Sequence, residues 1–362
     1  MHFGRATEQQ NHMRETQRWR DSMYWGNPIQ SGHTPETGVS CRGVRLWILL
    51  LTACISLPSF AQECKVTLSI GAFDRDLHKV PGLSAPDFNL KAGDTPISIG
   101  NITTLSARRF IIVMDASRSI RNHKEGRWRY SKAIVGRLIA KAPPESEIGL
   151  VMLGLGPIVR VAPNTDRAAL TKFAMEFGED SIDEPAGTPL WDAVGHAASA
   201  LNPTMPGDFV IMLTDGFANE GQLTQEKIPN LLQPNSIRLF PLLLENQDRP
   251  FDEPGVLSSL SELITQQMNS LAKATGGFGK VIELPWRIKK YDDAEVQEFA
   301  DGIARNTLDV AFGYYHLQLT VPAELAGKKI KVQLPQPVDK QYTMMQSRLP
   351  ECSNIVRPVS VR

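Results

Sequence analysis

The sequence contains no G-x-S-x-G, no H-E-x-x-H and no C-x-x-C. The local signatures of a nucleophile elbow, a zinc-protease helix and a dithiol redox centre are therefore missing. Charge of one sign is also missing: 39 Lys and Arg stand against 39 Asp and Glu. Nothing in that balance argues for nucleic acid or an anionic membrane as the main partner. There is no internal repeat and no long low-complexity stretch, which excludes solenoids and biased linkers. No apolar run reaches the ~20 residues that cross a bilayer. What is present, 42% hydrophobic and 22% charged residues over 362 positions, is enough to bury a core and suits about two domains.

The first informative segment lies inside the N-terminus. Arg42 and Arg45 precede an apolar run over 46–51 that continues more weakly to Leu57, followed by Pro58 and Ser59-Phe60-Ala61. A charged region, about 12 apolar residues and an A-x-A-like site describe a secretory signal peptide. A helix of that length reaches roughly 18 Å against about 30 Å of hydrocarbon, too short to span. Residues 41–61 are thus read as a signal peptide and residues 1–40 as a non-native or disordered leader. The protein is expected to be exported to the periplasm, the cell surface or the medium. A lipobox reading of Leu51-Thr52-Ala53-Cys54 would instead lipidate Cys54, the one route to a membrane. Cleavage after Ala61 leaves Cys64 and Cys352 at opposite ends of the mature chain, a disulfide candidate in an oxidising compartment.

From 62 to 107 the apolar residues alternate. Val66, Leu68 and Ile70 share a face, as do Phe88 with Leu90 and Ile97 with Ile99, and turn formers separate the runs. The character then changes. Phe110-Ile111-Ile112-Val113-Met114 is continuously apolar, like a strand buried on both faces, and similar runs recur over 148–155, 209–213 and 239–244. Helical periods over 130–142, 167–177, 190–201, 256–274 and 294–311 lie between or after them. Strands alternating with helices mean an α/β domain, a doubly wound, mainly parallel, Rossmann-like sheet over 108–312. After Phe312 alternation returns: Tyr315, Leu317, Leu319 and Val321, then Ile330, Val332 and Leu334. Neither flank, 62–107 or 313–362, has enough strands to stand alone. The two are expected to pair as one small β-sandwich with the α/β domain inserted between its halves.

The chemistry sits at strand ends. Asp115-Ala116-Ser117-Arg118-Ser119 closes the first buried strand with oxygen-bearing side chains at alternate positions. Asp215 closes another, in Leu213-Thr214-Asp215-Gly216, and Gly187-Thr188-Pro189 leads into a helix. Open α/β sheets place ligands at the carboxyl ends of their strands. Two carboxylates and three hydroxyls, all oxygen, suit a hard cation.

The ordered pattern D-x-S-x-S, G-T-P before a helix and L-T-D-G at a strand end resembles the metal-ion-dependent adhesion site of von Willebrand factor type A domains. Its liganding positions match at Asp115, Ser117, Ser119, Thr188 and Asp215, and the Ala274-Thr275-Gly276-Gly277 turn is also similar. The segment from Val80 to Phe88 looks like the strand region that precedes the domain in exported bacterial relatives. The resemblance implies a bound Mg2+ (or Mn2+ or Ca2+). Ser117, Ser119 and Thr188 would be direct ligands, with Asp115 and Asp215 acting largely through water. It also implies an open sixth position that an acidic residue of a protein partner completes. The expected function is an exported, non-enzymatic binding or adhesion protein. The alternative is a structural or assembly component of the cell envelope, in which the metal is mainly stabilising.

Other residues carry open readings. Arg118, Arg121, Lys124, Arg127 and Arg129 either attract an acidic partner or form a solvated helix start. Trp191 rims the site or belongs to the core. Gly154-Leu155-Gly156 lacks the third glycine of a dinucleotide-binding turn and follows the wrong strand. His196 and Ser199 fall on an Ala-rich helix, where a structural role outweighs a nucleophile pair.

Overall fold

The computed structural model describes residues 63–74, 76–104, 109–121, 126–154, 158–177, 187–246, 256–284, 292–334, 342–346, 348–350 and 352. The segments read as leader (1–40) and signal peptide (41–61, with Cys54), and Lys124, Leu155 and Gly156, lie outside them. The strands are β1 (Glu63–Phe73), β2 (Asn89–Ala92), β3 (Thr95–Ile97), β4 (Ile99–Thr103), β5 (Arg109–Asp115), β6 (Glu147–Leu153), β7 (Val159–Asn164), β8 (Phe209–Thr214), β9 (Arg238–Asn246), β10 (Lys280–Leu284), β11 (Tyr314–Pro322), β12 (Ile330–Gln333) and β13 (Tyr342–Met345). The helices are α1 (Arg118–Arg121), α2 (Arg127–Lys141), α3 (Arg167–Glu176), α4 (Leu190–Ala200), α5 (Ile228–Leu232), α6 (Val256–Ala274) and α7 (Asp293–Phe312). Among the described residues no helix is long and apolar enough to cross a membrane.

Six strands form one sheet in the order β10-β9-β8-β5-β6-β7, parallel except for the antiparallel edge strand β7. The continuous apolar run of β5 follows from burial on both faces. Phe110, Ile112 and Met114 pack under α2, α3 and α7, while Ile111 and Val113 pack under α4, α5 and α6. Side chains alternate across a strand, so a strand covered on both sides must be apolar at every position. Since β5 precedes both of its neighbours, with β6 on one side and β8 on the other, the direction of strand addition reverses beside it. Such a reversal opens a crevice at the carboxyl ends of the strands.

The flanks meet as two small sheets, β13-β1-β11-β4 and β12-β2-β3. β1 pairs antiparallel with β11 from Glu63↔Pro322 to Gly71↔Tyr314, and β2 pairs with β12. Their inner faces share a core of Val66, Leu68, Ile70, Phe88, Leu90, Leu317 and Leu319 among others. Each sheet therefore mixes strands from both sides of the α/β domain. Cys64 at the start of β1 is joined to Cys352 by a disulfide across a sequence separation of 288 residues.

The two bodies are packed where they join. Phe73, at the end of β1, lies in the α/β core, edge-on to Tyr314 at 5.6 Å. Arg238, at the amino end of β9, is fully buried and donates to the carbonyls of Ala311 and Gly207, both at 2.9 Å. Its guanidinium stacks over the Tyr314 ring at 4.0 Å, and Tyr314 in turn donates to the Gly276 carbonyl at 2.6 Å. The Ala-Thr-Gly-Gly turn thus serves this junction. A Cβ at Gly277 would lie 1.9 Å from the Leu239 carbonyl oxygen, so only glycine lets the turn approach β9.

Candidate metal centre

Asp115 ends β5 and Asp215 follows β8, the strands on either side of the reversal. Both carboxylates are buried, at 1% and 8% exposure, as are Ser117 and Thr188, whereas Ser119 faces solvent. The site is therefore a polar pit opening past Ser119, with Phe217 exposed beside it.

Each group is held by named donors. Asp115 accepts the Ser117 N–H at 2.8 Å on Oδ1 and the Thr214 hydroxyl at 2.7 Å on Oδ2. Thr214 is fully buried, and its Oγ1 also accepts the Gly216 N–H at 3.0 Å, which fixes its rotamer. The threonine of L-T-D-G therefore orients the first aspartate. Burial, and secondarily the nearby Asp215 charge, push the Asp115 carboxyl up to about 6 in the metal-free protein.

The three loops are tied to one another. Ala116 donates to the Leu153 carbonyl at 2.9 Å, extending the sheet by one bond beyond β5. Gly154, at φ +96°, fits behind that loop: a Cβ there would lie 2.3 Å from the Ser117 nitrogen. Gly154 is thus the residue that lets β6 back the D-x-S-x-S loop. Thr188 N–H donates to Asn219 Oδ1 at 2.6 Å, and Asn219 N–H returns a bond to the Thr188 carbonyl at 3.4 Å. Asp192 on α4 accepts the N–H groups of Gln222 and Leu223, pinning the far end of the same loop. The Thr188 loop and the segment after Asp215 are therefore held together.

The donor set fits a small hard cation. Two ligands side by side on an octahedral magnesium at about 2.1 Å lie about 3.0 Å apart. The Ser117 and Ser119 Oγ atoms are 3.1 Å apart. Asp115 belongs to the same loop, and Thr188 and Asp215 are supplied by neighbouring ones.

The arginine group splits. Arg127, the first residue of α2, is only 6% exposed; its Nη1 lies 3.3 Å from Asp215 Oδ2 and 3.4 Å from the Ser119 carbonyl oxygen. Arg121 bonds the Ala116 carbonyl at 2.8 Å, and Arg129 pairs with Asp293 on α7. Arg118 is exposed. Among the described members of the group, Arg127 is the buried one, placed against Asp215 by its position at the start of the helix, a signal that spacing alone does not give. Trp191 packs in the core on the α4 side of the sheet. His196 meets Arg160 at 3.3 Å, and the Ser199 hydroxyl donates to the Gly195 carbonyl, so the two form no nucleophile pair.

A second group, Asp74, Asp76 and His78, has its ligand atoms within 4.8 Å of one another in the turn after β1. Asp74 Oδ1 accepts the N–H groups of both Asp76 and His78. The bond from His78 contributes most to holding the Asp74 carboxyl below its ordinary value.

Residues 110–217 match the family model for the von Willebrand factor type A domain. Three solved structures illustrate the similarity. BatB, a conserved hypothetical protein from Bacteroides thetaiotaomicron, is 17% identical, with 55% of this chain and 98% of that chain covered, at a TM-score of 0.39. The pilus adhesin SpaC from Lactobacillus rhamnosus GG is 12% identical over 69% of this chain and 38% of that one, at 0.42. A von Willebrand factor type A protein from Catenulispora acidiphila is 11% identical over 80% and 75%, at 0.38. No curated protein matches. The family match places a von Willebrand factor type A domain at residues 110–217, within the central α/β body.

Proposed function

We propose that this chain is an exported, non-enzymatic binding protein that captures a protein partner through a divalent cation. Proteins with this domain commonly serve protein–protein interaction or adhesion. The observation that carries the metal reading is the pair of serine hydroxyls 3.1 Å apart, backed by two buried aspartates at the switch point of the sheet. Ser117, Ser119 and Thr188 would hold the ion through neutral oxygens, and Asp115 and Asp215 would hold its water. Neutral direct ligands leave the cation strongly attractive to a further anion. An acidic side chain from the partner would take the position left open past Ser119. Magnesium keeps several waters and binds few carboxylates directly, which suits this donor set. Manganese and calcium accept the same oxygens.

Export rests on the charged-apolar-small pattern over 41–61 and on the Cys64–Cys352 disulfide, which persists in oxidising compartments.

The test is affinity enrichment from the native envelope and medium fractions with magnesium or with chelator, using wild type and Asp115→Ala. A partner retained by wild type in magnesium, released by chelator and not retained by the variant is expected. A partner held equally by Asp115→Ala, or undisturbed by chelator, would refute capture through the metal.

A further inference from the structure

We infer that Arg127 is a built-in counter-charge of the metal centre: it holds the pit together when no cation is bound and lowers the affinity for the cation that replaces it. The inference rests on the metal reading above and adds a residue outside the ligand set.

Two carboxylates buried side by side repel one another, and a buried charge without a partner is strongly destabilising. In this pit all four carboxylate oxygens of Asp115 and Asp215 have protein donors. Asp115 has the Ser117 N–H and the Thr214 hydroxyl; Asp215 has the Phe217 N–H at 3.3 Å on Oδ1 and Arg127 at 3.3 Å on Oδ2. Three of these four donors are neutral. Arg127 brings the formal charge, so it alone among them competes with a cation for the same field.

Its placement makes the competition hard to avoid. The guanidinium is buried, and the same Nη1 that faces Asp215 lies 3.4 Å from the carbonyl of Ser119, itself a candidate ligand. A divalent ion held by Ser117 and Ser119 would therefore sit within a few ångströms of a fixed positive charge, in surroundings where water screens poorly. With Arg127 the two carboxylates and the guanidinium leave one net negative charge to attract the ion; without it there are two. The cation affinity should be set correspondingly low, and the metal-free pit should be preformed rather than sprung open.

The experiment uses the full chain as wild type, R127Q and R127K. Magnesium chloride is titrated by calorimetry, and Tm is measured in chelator and in magnesium. R127Q removes the charge while keeping a polar side chain; R127K keeps the charge. R127Q is expected to bind magnesium at least about tenfold tighter than wild type, the order a nearby unit charge produces in a partly screened site. R127K should stay within about threefold of wild type, since the nearby charge is retained. The Tm of R127Q should fall in chelator and recover in magnesium, a larger magnesium-induced gain than in wild type.

A purely structural arginine would lower Tm equally in both buffers and leave affinity unchanged, and that result would overturn the inference while leaving the metal site standing. If R127Q does not fold in chelator, R127K still decides: tighter binding despite the retained charge would refute a charge mechanism. Absence of magnesium binding in wild type and R127Q alike would remove the metal reading and this inference with it.

Discussion

Among the described residues two arginines are buried, one at each end of the sheet, and the two do different work. At the amino end Arg238 donates to the carbonyls of Ala311 and Gly207 and stacks on the rings of Tyr314, Phe209 and Phe240, with the Asp208 carboxylate, itself paired with Arg109, nearby. Burial draws its pKa down, but nothing in its bonding asks for an external ion. At the carboxyl end Arg127 faces a carboxylate in a pit that opens to solvent. A buried charge satisfied by carbonyls and aromatic faces locks two elements together. A buried charge satisfied by a carboxylate beside an opening can be exchanged for another cation. Changes at the two ends should therefore differ in how magnesium affects them.

A large effect is expected at the amino end. Arg238→Met strands two buried carbonyls, at about 1–3 kcal/mol each, and loosens the joint between α7 and β11. Denaturant unfolding should show about 3 kcal/mol lost, the same with magnesium as with chelator. A loss that magnesium repairs would break the contrast.

Opening the disulfide acts on the sandwich. Closing 288 residues restricts the unfolded chain by roughly 5 kcal/mol, an upper bound on the entropy model. Cys64→Ser with Cys352→Ser should lower stability by at most that amount and leave the magnesium affinity within about twofold, because the pit lies on the other body. Metal binding lost together with the disulfide would show that the two bodies are coupled.

At the carboxyl end the metal-free protein carries a pH signature. The Asp115 carboxyl titrates near 6 when folded against an ordinary 3.8. The native state holds this proton more tightly, so the stability this group contributes is greatest below pH 4, falls as pH rises to about 6, and is level above. A shift of about 2 units corresponds to roughly 3 kcal/mol, an order-of-magnitude figure. In chelator, Asp115→Asn should therefore gain on wild type by up to that amount between pH 4 and 7. A flat difference across this range would mean that Asp115 is not held in a desolvated site.

The smallest effect on stability, with a clear effect on binding, belongs to Ser119→Ala. The side chain is exposed, so unfolding should change by less than about 0.5 kcal/mol. Magnesium affinity should nonetheless fall at least about tenfold, as expected when a direct oxygen ligand is removed. An unchanged affinity would take Ser119 out of the ligand set.

How much of this could be read beforehand follows the same division. The strands covered on both faces announced themselves as unbroken apolar runs; β5, β8 and β9 appear within a residue or two of the reading. The edge strand β7 did not, because none of its residues is buried and it carries no continuous apolar signature. The short elements β10 and α5 were missed for want of length. The pairing of the flanks followed from each having too few strands, and β1 against β11 shows why neither is complete alone. In the pit, the ordered motifs located Asp115, Ser117, Ser119, Thr188 and Asp215, and the folded chain brings their loops to one end of the sheet. The residues that hold them were not legible. Thr214 lay inside a motif read for its aspartate, Gly154 looked like a fragment of another motif, and Arg127 was one of five similar charges. Each acts through a tertiary contact that no local period encodes.

The most direct measurement is calorimetric titration of magnesium into the fragment 62–362, as wild type and as Asp115→Ala. Saturable one-site binding by wild type, abolished in a folded variant, is the expected result. Equal binding by both proteins, or none by wild type at millimolar magnesium, would contradict a cation held at the carboxyl end of this sheet.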